Sequence, residues 1–303
     1  MLLLENQNRI LRDTVISKLK TDNRDPVEVR ICDFDDVQLK VFVSPEERNR
    51  MLVSMAVPCF AELCNDYNLM ARLNSEYPGL MESDAQAGFD FTLAINLDNL
   101  SMPADELVAK LSMLKPFVMG SAFYQSFEKL RSEQKQVEKS IFRIRKDTTV
   151  YIFPAADRVT LIHSLEFPET SDQIIAKVFL QEFVEARRHV SQAPICTFSL
   201  TPPTPLTQYG FNPEEVPEGN FGFLTFAVLR NHVATEQKLN HAVNLLQGFR
   251  TYLQYHIKCS KAHFHQRMRA RVALLLRVLN RAKMAPKEED KKKTMSGRTF
   301  QRT

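Results

Sequence analysis

The sequence has none of the short signatures of a catalytic or nucleotide-binding centre: no GxSxG, no GxxxxGK[ST], no GxGxxG and no HExxH. Their absence argues against a nucleophile elbow, a phosphate loop, a dinucleotide fold and a zinc-protease helix. No catalytic residue and no cofactor is assigned. Cysteine is sparse: Cys32, Cys59, Cys64, Cys196 and Cys259 are odd in number and form no CxxC pair. Neither a disulfide framework nor a zinc ribbon is indicated, and free thiols fit a reducing compartment. Long apolar runs are missing as well. The longest uncharged stretch, His189 to Pro213, holds five prolines and cannot cross a bilayer as a helix. The start, Met1-Leu2-Leu3-Leu4-Glu5, lacks the basic and then apolar order of a signal peptide. A soluble, cytoplasmic chain with no transmembrane segment is expected.

With 44% hydrophobic and 25% charged residues, the 303-residue chain has the composition of a folded globular protein. Its length suits roughly two domains. The formal net charge is only +4, but the charge is unevenly spread. From Arg250 onward lie 15 basic and 3 acidic residues, a net +12, which leaves −8 for residues 1–249. An acidic body with a basic C-terminal end predicts an anionic partner at that end.

The apolar spacing of Leu11, Val15 and Leu19 predicts an amphipathic helix over 5–20. Strands are predicted at Val27–Ile31, Val37–Val43 and Met51–Val57. The first two alternate apolar and polar residues, as half-buried strands do, and short polar connectors favour an antiparallel meander. A helix over Pro58–Tyr77, a strand at Phe89–Leu97 and helical material over Pro103–Gln136 follow. The second half repeats the order, with strands at Ser140–Lys146, Thr148–Phe153 and Arg158–Phe167 and a helix over Ser171–Arg188. Strands at Ile195–Leu200 and Gly222–Leu229 and a very long helix complete it. The fold class expected is α+β: two tandem domains, each an antiparallel sheet with packed helices, plus a very long C-terminal helix. The boundaries expected are 1–137, 138–233, 234–284 for the helix, packed on the second domain and a partner, and 285–303 for a basic flexible tail.

From Ala234 to Met284 there is no proline and one glycine, Gly248. Apolar residues from Leu239 to Ala282 recur at roughly 3.6 residues per step, the helical period. Such a helix would be about 75 Å long, against a diameter of roughly 50 Å for a compact globule of this length. Part of it therefore needs another covering, unless it kinks at Gly248 and folds back. With Arg267 at 0° and about 100° per residue, Phe264, Met268, Val272, Leu275, Leu279 and Ala282 fall between about 60° and 140°. Arg267, Arg271, Arg277 and Arg281 fall between about −80° and 40°. An apolar stripe beside a basic face predicts a partner for the stripe, most simply another long helix.

Other features carry less. The acidic Asp33-Phe34-Asp35-Asp36 lacks the glycine and distal glutamate of a calcium loop and reads as a turn. His256, Cys259 and His263 share a helix face at a spacing that could hold zinc, but no fourth ligand is evident and packing explains them; no metal is assigned. Pro202 and Pro205 match PxxP within an expected extended connector over 201–217. The stretch Arg267–Lys283 has neither interleaved aromatics nor a reader motif, so nucleic acid is not expected. An acidic protein surface such as a filament, or an anionic membrane surface met by the amphipathic helix, remains open.

Several segments together resemble a known family. Tyr252-Leu253-Gln254-Tyr255-His256-Ile257-Lys258-Cys259-Ser260-Lys261-Ala262, His265-Gln266-Arg267-Met268-Arg269-Ala270 and Val278-Leu279-Asn280-Arg281-Ala282 resemble the long C-terminal helix of subunit 2 of the actin-related protein 2/3 complex. Lys177-Val178-Phe179-Leu180-Gln181-Glu182-Phe183, Gly222-Phe223-Leu224-Thr225-Phe226, Asp33-Phe34-Asp35 and the tail Gly297-Arg298-Thr299-Phe300 extend the resemblance. Leu229-Arg230-Asn231-His232 departs from the family's pattern, and residues 43–87 match it poorly. The resemblance implies a non-enzymatic structural core subunit. It implies a long helix packed antiparallel against the corresponding helix of subunit 4, contact with the two actin-related proteins, and docking on the side of a mother actin filament in the actin cytoskeleton. On this reading Phe264, Met268, Val272, Leu275 and Leu279 would face the partner helix. Arg267, Arg271, Arg277, Arg281 and Lys283 would meet the filament. ATP binding belongs to the actin-related subunits.

Overall fold

The computed structural model describes residues 5–20, 24–133, 139–145, 148–190, 193–208 and 220–283. The expected domain boundary at 137/138, the basic tail 285–303 and residues 209–217 of the proline-rich connector lie outside the described residues. The chain divides into two compact units, Met1–Ile257 and Lys258–Thr303.

The first unit holds two antiparallel sheets. Helix α1 (Arg9–Lys20) precedes β1 (Val27–Cys32), β2 (Gln38–Val43) and β3 (Arg50–Ala56). Next come α2 (Phe60–Tyr67), α3 (Leu69–Glu76) and β4 (Phe91–Asn96), then α4 (Ala104–Ser112), α5 (Leu114–Met119) and α6 (Ser121–Arg131). The strand order is β1-β2-β3-β4. The register pairs Val41 with Val29 on one side and Val53 on the other, which puts the apolar set of each strand on one face. In β2, Leu39, Val41 and Val43 are buried while Gln38 is exposed, as period-two alternation dictates.

The second half has β5 (Ser140–Arg145), β6 (Thr148–Pro154), β7 (Arg158–Glu166) and α7 (Thr170–Arg188). It continues with β8 (Ile195–Ser199), α8 (Thr204–Gln208), β9 (Asn220–Leu229), α9 (Glu236–Gln247) and α10 (Phe249–Arg281). The sheet order is β5-β6-β7-β9-β8. β9 thus occupies the place beside β7 that β4 occupies beside β3, and β8 adds an edge. The repeated order expected from the sequence, with its optional extra strand, is what forms, and the fold class is α+β as expected.

Three differences have physical causes. The helix expected over Pro58–Tyr77 is two, because Asn68 adopts a left-handed conformation (φ 51°, ψ 37°) between α2 and α3, which asparagine tolerates better than most residues. The connector is not extended throughout. Residues Thr204–Gln208 form α8, with Pro205 in its first turn, where the missing N–H is not required. There Leu206 joins Tyr151, Phe153, Ile162 and Phe223 in a small second core on the back of the sheet. This explains why Thr148 to Phe153 of β6 are all buried rather than alternating. Finally, the long helix is interrupted at Gly248, which keeps right-handed angles (φ −83°, ψ −5°). Its N–H donates to Asn244 O at 3.3 Å. The buried spacing nonetheless continues across it, from Leu239, Val243 and Leu246 to Phe249, Leu253 and Ile257.

One large core runs through both halves. Phe142 of β5 makes edge contacts with Tyr67 of α2 at 5.9 Å and Phe123 of α6 at 6.2 Å. Gly120 marks a close approach: a Cβ there would lie 2.5 Å from both Pro116 O and Val243 Cγ1, so glycine lets α9 seat against the α5–α6 corner.

His163 of β7 sits fully buried between Phe226 and Phe249, at 5.8 and 5.7 Å between ring centroids. Neither ring nitrogen has a hydrogen-bond partner among the described residues. Burial pushes its imidazole from 6.5 down to about 4, because charging it would place an unsolvated cation in apolar surroundings. The unfolded chain therefore binds a proton that the folded chain refuses, and folding stability falls as pH drops from about 6.5 to about 4, by up to about 3 kcal/mol. His163→Phe is expected to flatten this part of the acid limb in thermal denaturation. An unaltered acid limb in the variant would contradict it.

Candidate interaction surface

The root of α10 is fixed by a buried polar cluster. Arg250, only 4% exposed, donates from Nη1 to Asp35 Oδ1 at 2.8 Å and from Nε to Thr148 Oγ1 at 2.6 Å. Thr251 Oγ1 donates to Asp35 Oδ2 at 3.1 Å, and Lys115 Nζ approaches the same oxygen at 3.5 Å. Asp35 reaches this position because the turn Phe34–Asp36 takes left-handed angles there (φ 64°, ψ 30°). The acidic knot is the turn that the sequence suggests, but its middle residue is a buried link between the first sheet, β6 and α10. Around the cluster, Phe249 and Tyr252 pack with Phe183 of α7, at 5.5 and 6.4 Å between centroids.

His256, one of the three residues with zinc-like spacing, stacks on Phe179 at 5.4 Å and meets Tyr252 at 4.4 Å. Among the described residues no group of three His, Cys, Asp or Glu side chains is gathered as a metal ion would need.

Ile257 is the last buried residue of α10. In the second unit, residues 262–283 are exposed throughout. Phe264, Met268, Val272, Leu275 and Leu279 are between 51% and 64% exposed, at spacings of four, four, three and four that hold them in one stripe. Arg267, Arg271, Arg277 and Arg281 are exposed on the same helix, and Lys283 follows just past its end, its N–H donating to Asn280 O. The entire helix Phe249–Arg281 contains no Asp or Glu. No internal i,i+4 ion pair can therefore offset its charge, and none of the four arginines has an ion pair among the described residues.

The separation into apolar and basic faces is less clean than the sequence suggested. Leu274, Leu276 and Val278 are also more than half exposed. Seen down the helix axis, Leu274 and Val278 fall among the arginines, and Leu276 falls on the side opposite Arg267. Between Leu274 and Leu279 the aliphatic surface thus spans roughly 200° of arc, more than one helix laid alongside would cover. The signal was the unbroken Leu274-Leu275-Leu276, which a count of one apolar residue per turn passes over. Exposed apolar surface of this extent marks an interaction site.

Residues 53–286 match the protein family described as "Arp2/3 complex, 34 kD subunit p34-Arc". The chain belongs to the p34-Arc family. It is 36% identical over 300 residues to actin-related protein 2/3 complex subunit 2 of Dictyostelium discoideum, covering 99% of both chains. It is 34% identical over 325 residues to the protein of that name from Schizosaccharomyces pombe, covering 100% of each. The p34-Arc match takes in α9, α10 and every candidate interface residue, and it begins within β3.

Proposed function

We propose that this chain is a non-enzymatic structural subunit of an actin-related protein 2/3 complex, acting in the cytoplasm within the actin cytoskeleton. In that role it binds the side of a mother actin filament and supports nucleation of branched filaments. The observation that carries the reading is the acid-free helix past Ile257, with basic and apolar side chains exposed together in a chain similar over its full length to subunit 2 proteins. A stable chain does not leave Met268, Leu275 and Leu279 in water without a partner; each buried would contribute roughly 1.5–3 kcal/mol. The stripe is assigned to the corresponding helix of subunit 4. Arg267, Arg271, Arg277, Arg281 and Lys283 are assigned to the filament, and the two actin-related proteins are further partners. No nucleic acid is assigned. Among the described residues no helix is long and apolar enough to cross a membrane.

The test of filament binding is charge reversal. An exposed charge pair contributes roughly 0.2–1 kcal/mol, so one reversal weakens binding little. Arg277→Glu with Arg281→Glu replaces attraction by repulsion and is expected to cost more than tenfold in affinity, about 1.4 kcal/mol. The assembled complex should persist, because the stripe is untouched. Wild-type binding should weaken as added salt shortens the Debye length below about 8 Å. Co-sedimentation with filaments reads the result, with anionic liposomes as control. Unchanged filament binding with lost liposome binding would favour a membrane-surface role instead.

A further inference from the structure

A groove in the first unit, lined by none of the residues assigned above, has a coherent chemistry of its own. It lies between the C-terminal turn of α7 and α9, with Phe226 of β9 at its floor, and encloses about 440 Å³. Its cationic and imidazole side chains are Arg187, His232, Lys238 and His241, and among the described residues no acidic one lines it. The rest of the lining is largely apolar, including Val190, which is 53% exposed, and Leu245. Two of the polar groups are held in place. The Arg187 guanidinium lies 5.1 Å from the centroid of the Phe183 ring. His232 accepts the Leu229 N–H on Nδ1 at 3.0 Å, which leaves Nε2 for another partner. Arg187, His241 and Leu245 also line a second cavity of about 530 Å³, whose lining does include acidic residues, Glu5 and Asp33.

We propose that this groove docks a short acidic and apolar segment of a protein partner. The segment's carboxylates would lie along Lys238 and His241, its aliphatic side chains against Val190 and Leu245, and its uncharged end toward the second cavity. An apolar floor with a basic rim favours an amphiphilic chain over a free anion. An anionic bilayer fits poorly, because residues 1–249 carry a net −8 and would repel a broad negative surface. A narrow segment meets mainly the local basic rim. This assignment is independent of the filament-facing arginines.

The experiment uses the full chain and a fluorescein-labelled twelve-residue peptide with glutamates and leucines at helical spacing, carrying one photo-crosslinking group. Anisotropy should show saturable binding at low salt. Lys238→Glu with His241→Glu should weaken it at least tenfold, as should Val190→Asp, with thermal melts of both variants unchanged. A lysine-for-glutamate peptide should bind the charge-reversed variant better than the wild type. Crosslinks should map to residues 187–194 and 231–246. Crosslinks confined to 258–283 would overturn the proposal, as would equal binding of a serine-for-leucine peptide. Phosphatidylserine vesicles binding with the same dependence on Lys238 and Val190 would also overturn it, in favour of a lipid surface.

Discussion

Asp35→Ala is expected to lower the unfolding free energy of the chain by about 3–5 kcal/mol, the usual cost of stripping one partner from a buried ion pair. The cost arises from what remains. Arg250 is 4% exposed and keeps its charge inside the protein, with Thr148 Oγ1 as a neutral acceptor at 2.6 Å. Thr251 loses its acceptor and Lys115 a counter-charge at the same time. Removing both members, Asp35→Ala with Arg250→Met, should restore most of the loss, because a buried pair replaced by apolar groups is often neutral. Denaturant unfolding of the two single variants and the double variant closes the cycle. If Asp35→Ala costs less than about 1 kcal/mol, the usual value of a single neutral hydrogen bond, the cluster does not fix the root of α10.

The second large effect concerns the stripe. Met268→Asp with Leu275→Asp places two carboxylates at positions 64% and 57% exposed in the chain alone. The isolated chain should therefore fold as before. In a helix–helix seam each unpaired charge costs several kcal/mol. Association with subunit 4 should fall by at least a hundredfold, about 3 kcal/mol. Pull-down of the partner by the double variant, beside its melting temperature, separates lost association from lost folding. Normal co-purification with the partner would mean that the stripe faces elsewhere. Because the aliphatic surface spans roughly 200°, Leu274→Asp provides a second test of whether the seam extends past one partner. An intermediate loss is expected for that variant.

The parts of the fold that read well from the sequence are those fixed by local periodicity. β2 was legible because Leu39, Val41 and Val43 alternate with polar neighbours and the register keeps them on one buried face. The long helix was legible because its apolar spacing continues across Gly248 with little change. Features that depend on distant residues were not. Asp35 and Arg250 are 215 positions apart, and nothing local marks either as buried. Arg250 was counted with the basic end offered to an anionic partner, whereas its charge is spent on Asp35 inside the protein. Leu206 looked like part of an extended connector, and only the back face of the second sheet gives it a reason to be helical and buried. Among the candidate interface residues, the stripe and the arginines were legible as wheel positions. The aliphatic residues between the arginines were missed, because a helical wheel read for one seam discards residues that lie off it.

The central claim is that this chain works as a structural subunit within an actin-related protein 2/3 assembly. Its most direct test is purification of the chain from its source at native salt, followed by native mass measurement and identification of everything that elutes with it. The account predicts one stoichiometric assembly containing both actin-related proteins and subunit 4. A lone, stable monomer, with Phe264, Met268, Val272, Leu275 and Leu279 still exposed to solvent, would contradict it.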